Sequence, residues 1–234
     1  MLWWRLWRIK SKKSWIRARA AEKLGHSKDP RAFQALVIAL TDGNESVRRT
    51  AAEALGEIGD LQAAEPLATV LKDNDTNVWW WPAAQALGKI GDPRAIEPLV
   101  VELAHVPSYE RSSVVGVLNR IDPNWMKSDG AKAAVTSLVA RLTHTDHSVR
   151  NSAEEALNQI PDWIRSDGAR AAIPLLIAGL PYLSGYSDDY AREKAERTLS
   201  QINPNWMKSD EAKAAIPSLL DALTAVFARM RSRS

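Results

Sequence analysis

The chain repeats itself, and that property constrains its fold more than any single residue does. Arg17-Ala18-Arg19-Ala20-Ala21-Glu22-Lys23-Leu24-Gly25 lines up with Arg48-Arg49-Thr50-Ala51-Ala52-Glu53-Ala54-Leu55-Gly56, and Ala83-Ala84-Gln85-Ala86-Leu87-Gly88 follows at nearly the same interval. The leucines Leu24, Leu55, Leu87, Leu118, Leu157 and Leu199 are spaced by 31, 32, 31, 39 and 42 residues. A period of this size signals a solenoid, in which each unit buries its apolar face only against its neighbours. Such a chain offers a long surface rather than a catalytic pocket.

Within the second unit Val47, Ala51, Leu55 and Ile58 fall at i, i+4, i+8 and i+11. That spacing lays one apolar stripe along a helix. Gly59-Asp60 ends it, a second helical run follows in Ala63–Leu71, and Lys72-Asp73-Asn74-Asp75 supplies a polar turn. Each unit is therefore expected to be a helical hairpin, and no segment shows the strict alternation of a strand. Pro66, Pro98, Pro174 and Pro217 recur near the start of the second helix. A missing N–H there has little or no intrahelical partner to lose.

The residues Val47-Arg48-x-x-Ala51-Ala52-x-Ala54-Leu55-Gly56-x-Ile58-Gly59-Asp60 and Gly91-Asp92-Pro93-Arg94-Ala95-Ile96-Glu97-Pro98-Leu99 resemble the HEAT-like repeat of the phycobilisome-lyase type. The resemblance spans roughly residues 14–226 and implies an all-α fold, an α-solenoid of about six stacked hairpins. Residues 1–13 are expected to form a basic, Trp-rich cap or amphipathic helix, and residues 227–234 a basic tail.

The later units carry insertions. Asp122-Pro123-Asn124-Trp125-Met126-Lys127-Ser128-Asp129 and Asn203-Pro204-Asn205-Trp206-Met207-Lys208-Ser209-Asp210 are almost the same loop, with Pro161-Asp162-Trp163-Ile164-Arg165-Ser166-Asp167 a third version. Trp125, Trp163 and Trp206 are expected to anchor these loops. Ser128, Ser166 and Ser209, or the aspartate after each, are expected to cap the next helix.

Arg17, Arg48, Arg111, Arg150 and Arg192 occupy one equivalent site, and Asp42, Asp73 and Asp146 sit in turns ahead of the second, third and fifth units. Stacking predicts bidentate Arg–Asp pairs between neighbouring turns. The third unit departs from this rule. Trp79-Trp80-Trp81-Pro82 replaces Val47-Arg48-Arg49-Thr50, so Trp80 stands where the arginine belongs. Successive helical residues point about 100° apart, so three adjacent rings cannot all enter one core stripe. A kinked or late-starting helix with at least one exposed ring is the expectation.

In the resembled family the helix bearing Val-Arg-x-x-Ala-Ala lines the concave surface. The position before the valine reads Trp15, Ser46, Val78, Tyr109, Ser148 and Tyr190, and the position two after it reads Ala18, Arg49, Trp81, Ser112, Asn151 and Glu193. Trp15, Arg49, Trp80, Trp81, Tyr109, Asn151 and Tyr190 form the candidate protein-binding stripe, because Trp, Tyr and Arg most often dominate interface energy.

A second candidate surface lies at Trp3, Trp4, Trp7, Arg5, Arg8 and Lys12. Residues 1–19 hold seven bases and no acid, and Arg229, Arg231 and Arg233 add +3, so a formal charge of +3 leaves the body at −7. An acidic body argues against a phosphate-tracking groove, so no nucleic acid is expected. Tryptophan beside arginine suits a membrane interface or another anionic partner as well as a solenoid cap.

No catalytic set, cofactor or metal site is expected. The chain lacks cysteine, and His144-x-x-His147 with Asp146 falls in a turn without a further histidine nearby. Gly56-x-x-Gly59 and Gly88-x-x-Gly91 fall at helix ends rather than ahead of a helix, as phosphate binding would need. A non-enzymatic scaffold that binds a protein partner is the leading expectation. A bilin-lyase-like or chaperone-like subunit and a peripheral membrane adaptor are the alternatives. A DNA alkylpurine glycosylase, built on a basic solenoid of similar length, is a further enzymatic reading that the acidic body and the absence of a matching motif weigh against. No stretch reaches the roughly 18 apolar residues of a membrane span, and a cytoplasmic protein, able to rest on a membrane, is expected.

Overall fold

The computed structural model describes residues 7–27, 29–72, 80–180, 183, 189–210, 213 and 217. Among the described residues the regular structure is helical throughout, with short 3-10 turns between longer helices. The chain divides into two compact units, residues 1–102 with 109–125, and residues 103–108 with 126–234.

In the first unit, α1 (Ser14–Gly25) and α2 (Pro30–Ala39) form one hairpin, α3 (Glu45–Ile58) and α4 (Ala64–Lys72) the next, and α5 (Trp80–Ile90) and α6 (Ile96–Glu102) the third, followed by α7 (Ser108–Ile121). The hairpins pack in chain order: α1 lies on α3, α3 on α5, and α4 on both α5 and α6. Val47, Ala51 and Leu55 are fully buried, as are Ala21, Leu24, Ala83 and Leu87 of the neighbouring helices. These are the positions of the predicted apolar stripe, and their burial against adjacent helices is what a solenoid requires.

The glycine after each of Leu24, Leu55 and Leu87 sets how closely the first helices approach. A Cβ on Gly25 would lie 2.8 Å from Ala54 Cβ, one on Gly56 would lie 2.8 Å from Ala86 Cα, and one on Gly88 would lie 2.9 Å from Val117 Cγ1. Backbone therefore meets small side chains directly along α1, α3, α5 and α7. Gly59 serves a different end. Its φ of 69° closes α3 in the left-handed conformation that glycine tolerates best.

Asp60 then accepts from the Gln62 amide (2.9 Å), and Asp92 accepts from the Arg94 amide (2.9 Å), each starting a 3-10 turn. Those turns, Leu61–Ala63 and Pro93–Ala95, lead into α4 and α6, of which Pro66 and Pro98 are the third residues. The proline thus sits in the first α-helical turn, where its missing N–H does least harm.

One rung of the predicted arginine ladder is present. Arg17 Nε and Nη2 donate to the two carboxylate oxygens of Asp42 at 2.7 and 2.6 Å. Arg17 Nη1 also donates to the Ser11 and Lys12 carbonyls (2.8 and 3.2 Å). Arg48 Nη1 reaches the Asp42 carbonyl (2.9 Å) in the same way. In the second unit Arg150 Nη1 reaches the His144 and Thr145 carbonyls (2.7 and 2.9 Å). Each arginine therefore pins the turn five or six residues ahead of it. The Arg48 rung would need Asp73, which lies outside the described residues. Arg192 pairs instead with Glu196 one helical turn on.

The second unit holds α8 (Asp129–Ala140), α9 (His147–Leu157), α10 (Asp167–Ala171), α11 (Ile173–Gly179) and α12 (Asp189–Ile202). Helix α8 packs against α9, α10 and α11. Here the close approach moves to the other helix of the hairpin. A Cβ on Gly168 would lie 3.0 Å from the Lys132 carbonyl, and the Thr136 hydroxyl donates to the Gly168 carbonyl at 3.0 Å. Ser128 and Ser166 cap α8 and α10 by accepting from Ala131 and Ala169 (3.1 Å each). Two of the three predicted caps are therefore formed, and the residues that Ser209 would cap lie largely outside the described residues.

The inserted tryptophans occupy 3-10 turns at Trp125–Lys127, Trp163–Arg165 and Trp206–Lys208. Trp125 is fully buried, while Trp163 and Trp206 are half-buried. The Trp125 indole N–H donates to Asn119 Oδ1 (3.2 Å). Asn119 occupies the place that Gly88 holds one unit earlier, so the longer loop and the loss of glycine go together.

Candidate functional site

The position before the repeat valine is exposed in every unit where it is described: Trp15, Ser46, Tyr109, Ser148 and Tyr190. Helical geometry explains this. Val47 and Ala51 face the core of α3, so the residue one step before Val47 points about 100° away from it. Trp15, Tyr109 and Tyr190 are 58, 77 and 67% exposed. A large ring left this wet on a packed repeat is a candidate contact rather than a structural necessity.

In the first unit, Trp15 on α1, Arg49 on α3 and Tyr109 on α7 are exposed. Arg49 lies 4.0 Å from Glu53 one turn on, a long and solvated pair. Trp80 and Trp81 are the first two described residues of α5, with Pro82 the third. Both rings are half-buried and meet edge to face, with centroids 5.4 Å apart and planes at 68°. That arrangement matches the preference of aromatic quadrupoles. Trp79 lies outside the described residues.

In the second unit, Asn151 and Tyr190 line one shallow cleft between α9 and α12, with Leu142, His147, Glu154 and Lys194 around them. Lys194 forms an ion pair with Glu154 and places its Nζ 5.7 Å from the Tyr190 ring centroid. Both stabilise an ammonium over the ring face. The Asn151 amide donates to His147 Nδ1 at 3.2 Å. The stripe pattern found Asn151 and Tyr190 but missed Lys194 and Glu154. Each lies a single helical turn from a residue already singled out (Tyr190 to Lys194, Asn151 to Glu154), and that spacing was the available signal.

The anionic-surface candidates divide. Trp7 is 68% exposed and Lys12 is exposed, while Arg8 is half-buried. Trp3, Trp4 and Arg5 lie outside the described residues.

The carboxyls held well below their usual range all belong to arginine-built turns. Arg17 lowers Asp42 chiefly by hydrogen bonding, and Arg94 does the same to Asp92. Asp29, bonded by the Arg31 side chain and amide, is lowered to about 2. Among the described residues no group of three His, Asp or Glu side chains is arranged to hold a metal ion. Also among them, no helix is long and apolar enough to cross a membrane.

Helical hairpins stacked in chain order within each unit, with arginine-pinned turns and, in the first unit, a leucine–glycine seam, define an α-solenoid. The HEAT-repeat family model matches residues 4–80 and again residues 38–119, and over those residues the chain carries HEAT repeats. A search of curated proteins by sequence gave no match. Similar solved structures include the complex of CpcE and CpcF of phycocyanin lyase from Nostoc sp. PCC7120, at 24% identity and a TM-score of 0.45, covering 95% of this chain and 94% of that one. A designed armadillo repeat protein is 19% identical with a TM-score of 0.42, covering 87% and 100%. Human deoxyhypusine hydroxylase is 21% identical with a TM-score of 0.36, covering 95% and 83%.

Proposed function

We propose that this repeat scaffold is non-enzymatic and binds a protein partner through the aromatic and polar row on its first helices. One observation carries the reading. The same register position is exposed wherever it is described, and three of those five residues are large aromatics. Tyrosine and tryptophan supply broad, rigid contact area with few rotatable bonds, which suits them to the centre of an interface. Arg49 and Asn151 add hydrogen-bonding capacity beside them.

The titratable groups support a binding role over a catalytic one. Strongly perturbed carboxyls often mark active sites, but Asp29, Asp42 and Asp92 are each accounted for by an arginine that shapes a turn. The cytoplasm is the proposed location for such a scaffold.

The test is affinity capture with the wild type beside a Tyr109→Ala, Tyr190→Ala variant whose helicity and unfolding midpoint are unchanged. Truncating a hot-spot aromatic costs about 2 kcal/mol, roughly 30-fold in affinity. Partners held by the wild type and lost by the variant are expected. An identical set of captured proteins would remove the row from consideration.

A further inference from the structure

A second surface, built from residues 7–19, shares Trp15 with the protein-binding row and adds a cluster of bases that the row lacks. Trp7 is 68% exposed and Trp15 58% exposed. Between and beyond them Lys10, Lys12, Lys13 and Arg19 are exposed. The segment contains no acid.

Its framework is held in place. The Lys10 amide donates to the Trp7 carbonyl (3.2 Å) and the Ser11 amide to the Arg8 carbonyl (3.1 Å), closing a helical turn. Arg17, locked bidentately on Asp42, donates to the Ser11 and Lys12 carbonyls where that turn meets α1. The Asp42 carboxylate is committed to Arg17, and its backbone carbonyl is taken by Arg48. The lysine side chains are thus displayed from an anchored backbone, and Asp42, the acid bonded to that backbone's anchor, is already used, while Glu22 lies one helical turn beyond Arg19. Arg31 on α2 pairs with Asp29 and adds no free acid.

We propose that residues 7–19 form a docking surface for an anionic lipid bilayer, with Trp7 entering the headgroup layer and Lys10, Lys12, Lys13 and Arg19 facing its negative charge. Two features favour lipid over an acidic polypeptide. The two indoles are 68 and 58% exposed, open to a flat surface rather than enclosed around a particular side chain. Indole rings also prefer the boundary between headgroup and hydrocarbon, where one end is wet and the other apolar. Attraction to an anionic leaflet is worth about fivefold in affinity per nearby base. Four exposed bases and one indole therefore suffice for reversible attachment without a spanning helix.

The experiment is co-sedimentation of the full chain with phosphatidylcholine vesicles and with vesicles rich in phosphatidylserine. The wild type should pellet with the anionic vesicles only and should be released by high salt, because charges in water are screened over about 10 Å at 0.1 M salt. Lys12→Glu, Lys13→Glu should weaken binding by roughly 25-fold or more. Both side chains are exposed, so the unfolding midpoint should hold. Trp7→Ala should reduce binding and abolish part of the fluorescence quenching by bromine-labelled lipid. None of these changes touches Tyr109 or Tyr190, so partner capture by the row should survive them. The proposal is overturned if anionic vesicles fail to pellet the wild type, or if the double-glutamate variant pellets equally well. Binding of soluble polyglutamate without vesicle binding would also overturn it, assigning the surface to an acidic polypeptide.

Discussion

The two units solve the same packing problem on opposite helices of the hairpin. In the first unit, Gly25, Gly56 and Gly88 bring the first helices together until a Cβ would lie under 3 Å from its neighbour. In the second, Asn158 and Ser200 stand at the corresponding positions, and the tight contact lies between second helices, where Gly168 meets Lys132 and Thr136. The lesson is that a repeat can keep its hairpin while changing which helix carries the seam. The change accompanies the inserted tryptophan loop: Asn119 replaces the glycine and receives the Trp125 indole.

A proline placed where α8 has none gives the largest expected break in this contrast. Thr136 and Pro174 are equivalent by sequence. Helix α8 runs unbroken through Thr136, whereas α10 and α11 are separated just before Pro174. Thr136→Pro removes an N–H inside a helix and the bond to Gly168, and should destabilise by about 3 kcal/mol or more in urea unfolding. Pro174→Ala should change stability by less than about 1 kcal/mol and should raise helical ellipticity if proline alone divides α10 from α11. Equal effects of the two substitutions would mean that the break has another cause.

Overfilling the first-helix seam comes next. Gly56→Val must displace Ala86 backbone and should cost about 2–3 kcal/mol. Gly59→Ala meets nothing within 4 Å and should cost about 1–2 kcal/mol from its left-handed φ alone. If Gly59→Ala proved the more damaging, close approach would not be what the glycine series provides.

The smallest effect is electrostatic. Asp42 is depressed in the folded protein, so its stabilisation is present above the ordinary aspartate pKa of about 4 and fades as pH falls through the lowered folded value. Asp42→Asn should cost about 1–2 kcal/mol at neutral pH and flatten the acid limb of the stability curve. Its penalty should begin to shrink below about pH 4, where the unfolded chain takes up the proton first, and fade further as the folded carboxyl follows. A penalty unchanged down to pH 2 would show that Asp42 acts through geometry alone.

Much of the fold was legible because the repeat states it several times. The buried set of Val47, Ala51, Leu55, Leu24 and Leu87 follows from helical periodicity, and the caps at Ser128 and Ser166 follow from side-chain chemistry. The Arg17–Asp42 pair was readable because recurring opposite charges fell at the same register. The unequal burial of Trp125, Trp163 and Trp206 was not readable, since the three loops look alike and only the packing around each decides how deeply its ring sits. For the candidate site, the register carried over from the resembled repeat pointed to the exposed rings of Trp15, Tyr109 and Tyr190. The half-burial of Trp80 and Trp81 depends on a mutual edge-to-face contact that a one-dimensional pattern does not encode. The Lys194–Glu154 pair joins residues forty apart, and its one trace in the sequence is that each lies a helical turn from Tyr190 or Asn151.

Close approach at Gly25 and Gly56 gives the first unit a consequence beyond stability. The neighbours there, Ala54 and Ala86, present only backbone and a methyl group, so the pitch between those helices is fixed by atoms that have no rotamers to change. On the binding reading proposed above, the rings and charges displayed on successive first helices are graduations on a ruler. An extended ligand whose own side chains recur at that pitch could be gripped at several marks at once, and one out of step would engage only a single mark.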